Sequence, residues 1–323
     1  MSNMGGGTPS HLSPANLLRL NEIIHSRFSF AEDCEITAEC NPNDLNNSCA
    51  SALSDCGVNR ISLGVQSLKA NKLKLLERDH DAQVVSQAVD IARGFTDSIS
   101  IDMIFAAPEE TPEQWEDDLN AAIELKPDHF STYELTFEKG TSFWTRREQR
   151  KLSQTTEDAR CQMYESAIKS LEKNGFQQYE ISSFATRGHQ SRHNNVYWSG
   201  QPYFAFGPGA SRFVDGIRET NHQSTTRYIN RMEAGIDPTA HRESLDQREL
   251  ALERLVIGLR RNDGIERSPF VEQTGFDVDD LIGRSVLDQF NEQELIAVTP
   301  DNVRLTRRGL MVCDWIAGEI LGC

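Results

Sequence analysis

No run in this 323-residue chain approaches the ~20 apolar residues of a membrane-crossing helix, so no spanning segment is expected. Positive charge is scarce. The 33 Lys and Arg face 49 Asp and Glu, and the net charge of -16 argues against wholesale nucleic-acid binding. It leaves room for a local pocket that takes a carboxylate-bearing ligand. No leader-like segment precedes the first glycines, and seven cysteines are an odd number for a disulfide framework. Reduced thiols and a cytoplasmic protein are therefore expected. Internal repeats and low-complexity segments are also missing. What is present is an ordinary globular composition, 38% hydrophobic and 25% charged, in a chain long enough for two domains.

The stretch Gly5-Gly6-Gly7-Thr8-Pro9-Ser10 comes first. Three glycines expose bare backbone N–H and C=O groups to any neighbour. Ser13-Pro14 then reads as a helix start, with Ser as N-cap and Pro at the first helical position. Such a turn usually follows a strand, and here that strand is almost entirely missing. Strands are expected at Cys34–Cys40, Val58–Gly64, Ser98–Phe105 and His129–Thr136. Helices are expected at Pro14–Phe28, Leu45–Cys56, Ala82–Arg93 and Pro112–Lys126. Strands alternating with helices indicate parallel α/β architecture, either a barrel or an open sheet. In both, ligands gather at the carboxyl ends of the strands.

The polar residues at those ends are Glu39 with Asn41-Pro42, Gln66-Ser67 and Asp102, with Arg78 in the turn Glu77-Arg78-Asp79-His80. Turn-forming and capping roles explain most of them singly. Asp102 stands apart, because a carboxylate inside Ile99-Ser100-Ile101-Asp102-Met103-Ile104 must be hydrogen-bonded. A second dense stretch runs from Phe176 through Ser191-Arg192-His193-Asn194-Asn195-Val196-Tyr197-Trp198 to Tyr203–Ala210. It mixes polar and aromatic residues without a regular period, as pocket-lining segments do. His193 reads either as an iron ligand or as a structural histidine that fixes its loop. Beyond Ser224 the chain reads as helical and charged. Helices at Leu245–Leu259, Ser268–Thr274, Val278–Asn291 and Arg308–Leu321, with a hairpin around Pro300-Asp301-Asn302, resemble a winged helix. Its arginines are interspersed with acids, so protein contact or a scaffold cap is the better reading.

The strings GGGTPS, ITAECNP, RISLGVQS, the Glu-Arg-Asp-His turn, the Asp102 strand, FQQYEISSFA, SRHNNVYW and FGPGA follow one another as in the HemN/HemW group of radical S-adenosylmethionine (SAM) proteins, which this chain resembles over nearly its whole length. The group holds oxygen-independent coproporphyrinogen III dehydrogenases and haem chaperones. The His193-Asn194-x-x-Tyr197-Trp198 motif is similar to the chaperone branch. The resemblance implies an α/β fold: a partial (β/α) radical-SAM-type barrel missing its first strand, then a mainly helical, winged-helix-like C-terminal domain. The expected segments are 1–175 for the barrel, 176–240 for a pocket-lining stretch and 241–323 for the last domain. It further implies haem binding, SAM binding and haem delivery to a respiratory membrane protein, with no nucleic-acid partner; a homodimer stays open. Gly6, Gly7 and Thr8 match the turn at the methionyl end of SAM. Glu39, Gln66 and Arg78 match further polar contacts, and Asp102 a ribose contact. His193, Asn194 and Tyr197 are the expected haem residues. The alternative within the group is the dehydrogenase, which oxidatively decarboxylates two propionates.

The chain departs from the group in one large respect. Its members hold a [4Fe–4S] cluster on a CxxxCxxC loop upstream of GGGTP, and this sequence has no such loop. Cys34 and Cys40 share a strand face, and Cys49 and Cys56 a helix face, as small core residues do. Cys161, Cys313 and Cys323 are scattered. Two explanations are open: the natural chain begins further upstream, or the short form is genuine and lacks radical chemistry. The retained SAM-contact residues favour the first. A missing first strand also leaves the edge of the second exposed. In smaller departures, Ala106-Ala107-Pro108 stands where Gly-Leu-Pro is frequent, and Ser211-Arg212 where a His-Ser pair is.

Overall fold

A computed structural model of the chain describes residues 1–137, 142–149 and 152–322. It divides into two compact units, Met1–His193 and Asn194–Cys323.

The first unit is built on strands β1 (Ser2–Met4), β2 (Ile36–Cys40), β3 (Arg60–Gln66), β4 (Ile99–Phe105), β5 (His129–Glu134), β6 (Gln177–Gln178) and β7 (Ser183–Ala185). Its helices are α1 (Pro14–His25), α2 (Asn47–Asp55), α3 (Ala70–Leu75), α4 (Ala82–Arg93), α5 (Pro112–Ile123), α6 (Ser142–Glu148) and α7 (Glu157–Lys173). A further helix, α8 (Arg192–Trp198), begins in it. The sheet order is β1-β2-β3-β4-β5-β7-β6, with β1 to β5 parallel and β7 antiparallel to both β5 and β6. Parallel strands in sequential order are wound in one direction. Right-handed crossovers then place the connecting helices on a single face. That decides between the two architectures in favour of the barrel type, because a doubly wound sheet reverses its order.

The helices start where the sequence supplies caps. Ser13, Asn46 and Asp81 accept backbone N–H groups at the starts of α1, α2 and α4, and Thr111 with Gln114 forms a capping box on α5. Ile61, Leu63, Val65, Ile99, Ile101 and Met103 are fully buried on one side of β3 and β4. Their alternate neighbours carry the polar groups described below.

Several elements differ from the sequence expectation. β1 is present as three residues paired with Ile36–Ala38, so the edge of β2 is covered there. The stretch after Phe176 contains β6 and β7, two and three residues long, too short to show a period. The segment around His193 is helix rather than loop. Ala106 has φ 61, the left-handed region that disfavours an L side chain by about 1–2 kcal/mol. Ala106→Gly removes that strain but frees the unfolded chain, leaving an expected gain of about 0.5–1 kcal/mol. A urea titration checks it; an unchanged or lower midpoint would refute the strain.

In the second unit β8 (Ser211–Val214), β9 (Ile217–Asn221) and β10 (Thr239–Ser244) form an antiparallel sheet in the order β10-β9-β8, with α9 (Thr225–Glu233) connecting β9 to β10. β10 lies in a region that reads as helical in sequence. Next come α10 (Gln247–Gly258), β11 (Ile265–Glu266), α11 (Arg267–Thr274), α12 (Val278–Ile282) and α13 (Arg284–Glu292). The chain ends with β12 (Ile296–Val298), β13 (Asn302–Leu305), α14 (Arg307–Met311) and α15 (Cys313–Leu321). The strands pair antiparallel as β11-β13-β12. The single helix expected at Val278–Asn291 is broken at Gly283, whose φ of 87 no right-handed helix accommodates. The last helix is likewise broken, at Val312.

Candidate functional site

Side chains alternate across a strand, so one face of the first unit's sheet is read by taking every second residue. Glu39, Ser62, Ser100 and His129 are register partners across β2, β3, β4 and β5. Two residues further on, Asp102 and Ser131 form the next pair. Adding Thr37, Arg60 and Tyr133 gives a face lined by carboxylates, hydroxyls, an imidazole and a guanidinium. Parallel sheets are usually apolar on both sides. Here one side carries a polar row instead, in which Thr37, Arg60, Ser100, His129 and Ser131 are buried.

Asp102 is its centre. The Ser62 hydroxyl donates to both carboxylate oxygens at 3.0 Å, and Ser100 reaches Oδ1 at 3.4 Å. Burial pushes the carboxyl up to about 6, the Glu39 charge adds to this, and the hydroxyls of Ser131, Ser62 and Ser100 pull back. Tyr133 is 46% exposed as a whole, but desolvation at its hydroxyl end, and then the charge of Asp102, raises the phenol. Glu39 accepts from the Asn3 amide at 3.3 Å. A β-carbon on Gly5 would overlap the Glu39 carboxylate, so a larger residue there would push that side chain aside. Gly6 follows at φ 75, and neither Gly6 nor Gly7 has anything within reach of an added β-carbon. The turn is pinned by Ser10, which accepts the Asn41 N–H at 3.1 Å, and His11 lies 2.9 Å from Asp44. Thr8 starts the short 3₁₀ turn there.

Gln66 ends β3 in the left-handed region, at φ 65. Arg78 is exposed on the turn between α3 and α4. That turn is tied to the same rim, since His80 Nε2 lies 2.9 Å from the Val65 carbonyl and Asn43 donates to Asp79 at 2.7 Å. The structure thus gathers Gly6, Gly7, Thr8, Glu39, Gln66 and Arg78 at or near the carboxyl ends of three neighbouring strands, with Asp102 deeper on the same sheet.

His193 is elsewhere. Its backbone N–H donates to Glu35 Oε1 at 3.2 Å, and that of Arg192 to Glu35 Oε2 at 3.3 Å. Glu35 immediately precedes β2 and caps the first turn of α8. The histidine therefore lies at the amino end of the strand whose carboxyl end carries the glycine turn's partners. β2 alone separates the two ends by about 15 Å. Burial lowers the His193 imidazole below its ordinary value, with Glu35 opposing and the N-terminal ammonium assisting. It is half-buried and neutral at pH 7. Asn194 and Tyr197 open the second unit on the same helix; Tyr197 packs edge-on against Tyr203, with ring centroids 4.6 Å apart. A cleft of about 380 Å³ opens among Asp33, Glu35, Asn59, Arg60, Asp97 and His189.

Two groups of residues escaped the sequence reading. Ser62, Ser100, Ser131 and His129 carry a signal, the polar alternation of Arg60-Ile61-Ser62 and Ser98-Ile99-Ser100-Ile101-Asp102. The other group is a buried ion cluster. Lys72 Nζ lies 2.5 Å from Glu110 and 3.4 Å from Asp118, and 5.0 Å above the Trp115 ring. Asp118 also accepts the Ser67 hydroxyl at 2.5 Å and the Leu68 N–H at 2.8 Å, while Glu110 accepts the Ala107 N–H at 3.0 Å. The cluster fastens the loop after Gln66 to the loop after β4, and so shapes the rim.

Glu39 suits an ammonium and Asp102 a ribose diol on this face, and Arg78 on the neighbouring turn suits a carboxylate, so these residues fit those parts of SAM. They do not fit an iron–sulfur cluster. Among the described residues no three His, Cys, Asp or Glu come together to hold a metal. Cys34, Cys40, Cys49 and Cys56 are buried, and burial, then Cys49, pushes the Cys40 thiol up to about 12.

Residues 2–122 match the radical SAM superfamily and residues 245–312 the HemN C-terminal domain. The chain is 33% identical to the heme chaperone HemW of Bacillus subtilis (strain 168), covering 99% of this chain and 84% of that one. It is 32% identical to the mitochondrial radical S-adenosyl methionine domain-containing protein 1 of Danio rerio, covering 98% and 74%. Among solved structures, coproporphyrinogen III oxidase (HemN) from Escherichia coli superposes with a TM-score of 0.84 at 21% identity, over 98% of this chain and 76% of that one. The last likeness concerns the fold, and the sheet described above is a radical SAM fold of that kind. With identity above 30% sustained along nearly its whole length, the chain belongs to the HemW family of the radical SAM superfamily.

Proposed function

We propose that this protein is a haem-binding chaperone of the HemW kind, which binds SAM on the polar face around Asp102 and passes haem to a respiratory membrane protein from the cytoplasm. The near full-length similarity to a heme chaperone carries the reading. The Glu39–Asp102 row supports SAM, since a carboxylate held by hydroxyls is suited to a vicinal diol. A neutral, half-buried His193 supports haem, since only the unprotonated imidazole offers iron a lone pair. The decarboxylating alternative has the fold likeness behind it and nothing more specific.

The two ligands are read at opposite ends of β2, so they bind independently. Haemin titration of the wild type is expected to give a Soret change at micromolar protein, and His193→Ala to weaken it at least about tenfold. SAM calorimetry of His193→Ala is expected to match the wild type. Identical Soret changes and affinities in the two proteins would remove His193 from the haem site.

A further inference from the structure

We propose that His129 is a positioning residue for Asp102: as the Nδ1–H tautomer it directs the Ser100 hydroxyl onto the carboxylate, and Tyr179 locks the ring from behind. The inference rests on the SAM reading of Asp102 and deepens it.

Four groups lie in line. Ser100 Oγ is 3.4 Å from Asp102 Oδ1 and 2.8 Å from His129 Nδ1. His129 Nε2 is 2.8 Å from the Tyr179 hydroxyl, whose oxygen accepts the Ser191 backbone N–H at 3.2 Å. Ser100 and His129 are each 1% exposed, and Tyr179 and Ser191 each 7%, so no bulk water substitutes for a missing partner. Burial, with Arg60 and His189 assisting, holds His129 well below its ordinary value, and a neutral imidazole has one N–H to give.

The two ends of the line fix its direction. An ionised carboxylate only accepts, and a backbone N–H only donates. The one hydrogen of Ser100 therefore goes to Asp102, and its oxygen takes the hydrogen on Nδ1. Nε2 is left bare and receives the Tyr179 O–H, while the two lone pairs of the tyrosine oxygen receive the Ser183 O–H and the Ser191 N–H. Every donor in the chain points toward Asp102. Glu39 and Tyr133 also face Asp102, but their oxygens serve as neighbours and do not order its hydroxyl shell. With that shell fixed, the carboxylate presents the same lone pairs to an arriving diol each time, which is preorganisation. Sequence reading does not find this role, because His129 and Tyr179 are 50 residues apart.

The test has a ligand-free arm and a ligand arm. Histidine-selective ¹⁵N labelling, with His129→Asn used for assignment among the eight histidines, is expected to show His129 protonated at Nδ1. In Tyr179→Phe, Nε2 loses its donor and the Nε2–H form is expected to appear. By SAM calorimetry, His129→Leu is expected to bind about tenfold more weakly, as one lost buried hydrogen bond implies. His129→Asn, whose amide N–H lies where Nδ1–H lay, is expected to stay within about threefold of wild type. Ser100→Ala with His129→Leu should be no weaker than either single change, because both cut one chain. An Nε2–H tautomer in the wild type, or additive losses in the double variant, would overturn the proposal. Nδ1–H protonation in a wild type that binds no SAM would instead sink the SAM reading and leave the donor chain standing. Should His129→Leu fail to fold, Tyr179→Phe and His129→Asn carry both arms.

Discussion

Lys72→Met is expected to destabilise the folded chain by about 3–5 kcal/mol, because it leaves buried carboxylates without their cation. Lys72, Glu110 and Asp118 are 8%, 9% and 0% exposed, so water does not replace the ammonium. Burial already raises the Glu110 carboxyl above its ordinary 4.5, against the pull of Lys72. A carboxyl raised in the folded state stabilises that state while protonated. The stabilisation is complete below the unfolded value and is lost as pH rises through the folded one. Without Lys72 the folded value climbs further. The loss in Lys72→Met should therefore be smaller at pH 5 than at pH 8, as measured by urea unfolding. A loss below about 1 kcal/mol at pH 8 would show the cluster to be no more than a surface pair. The effect should reach the site as well, since the cluster ties together the loops after Gln66 and after Phe105.

Asp102→Asn is expected to move stability and ligand affinity in opposite directions. In the folded chain Asp102 is raised from 3.8 to about 6. The native state is therefore favoured by protonation below about pH 4, and that contribution is lost as pH rises through about 6. Keeping the carboxylate ionised at pH 8 then costs up to about 3 kcal/mol, with the pull of Ser131, Ser62 and Ser100 already included. The neutral amide, of the same shape, is expected to be about 1–3 kcal/mol more stable than wild type at pH 8 and indistinguishable near pH 4. SAM affinity should fall by at least about tenfold, because an amide cannot accept two hydroxyls on both of its atoms. Parallel unfolding curves with a pH-independent offset would show that Asp102 carries no desolvation strain. Higher stability with weaker binding is the expected signature of a group kept for binding rather than folding.

Legibility in the sequence followed the range of the interaction. Asp102 stood out because a carboxylate inside Ile99–Ile104 conflicts with its immediate neighbours. The glycine turn stood out because three glycines in a row are locally unusual. Lys72 did not, since a lysine on a short amphipathic helix reads as solvated, and its partners lie 38 and 46 residues away. β1, β6 and β7 were illegible for a different reason. Strands of two or three residues owe their existence to the strand beside them and have too few positions to show alternation.

By itself, the sequence determined the alternating strand–helix order, the α/β class, the helix starts at Pro14, Ala82 and Pro112, and the group of proteins to which the residues point. Each of these is written in spacings of a few residues, where propensity and capping act. Only the tertiary structure decided that the strands run in sequential order, and that Glu39, Ser62, Ser100 and His129 share one row. It alone placed His193 at the amino ends while the glycine turn sits at the carboxyl ends. Those outcomes depend on strand register and crossover direction. Pairing across tens of residues sets both, and no local window of the chain contains it.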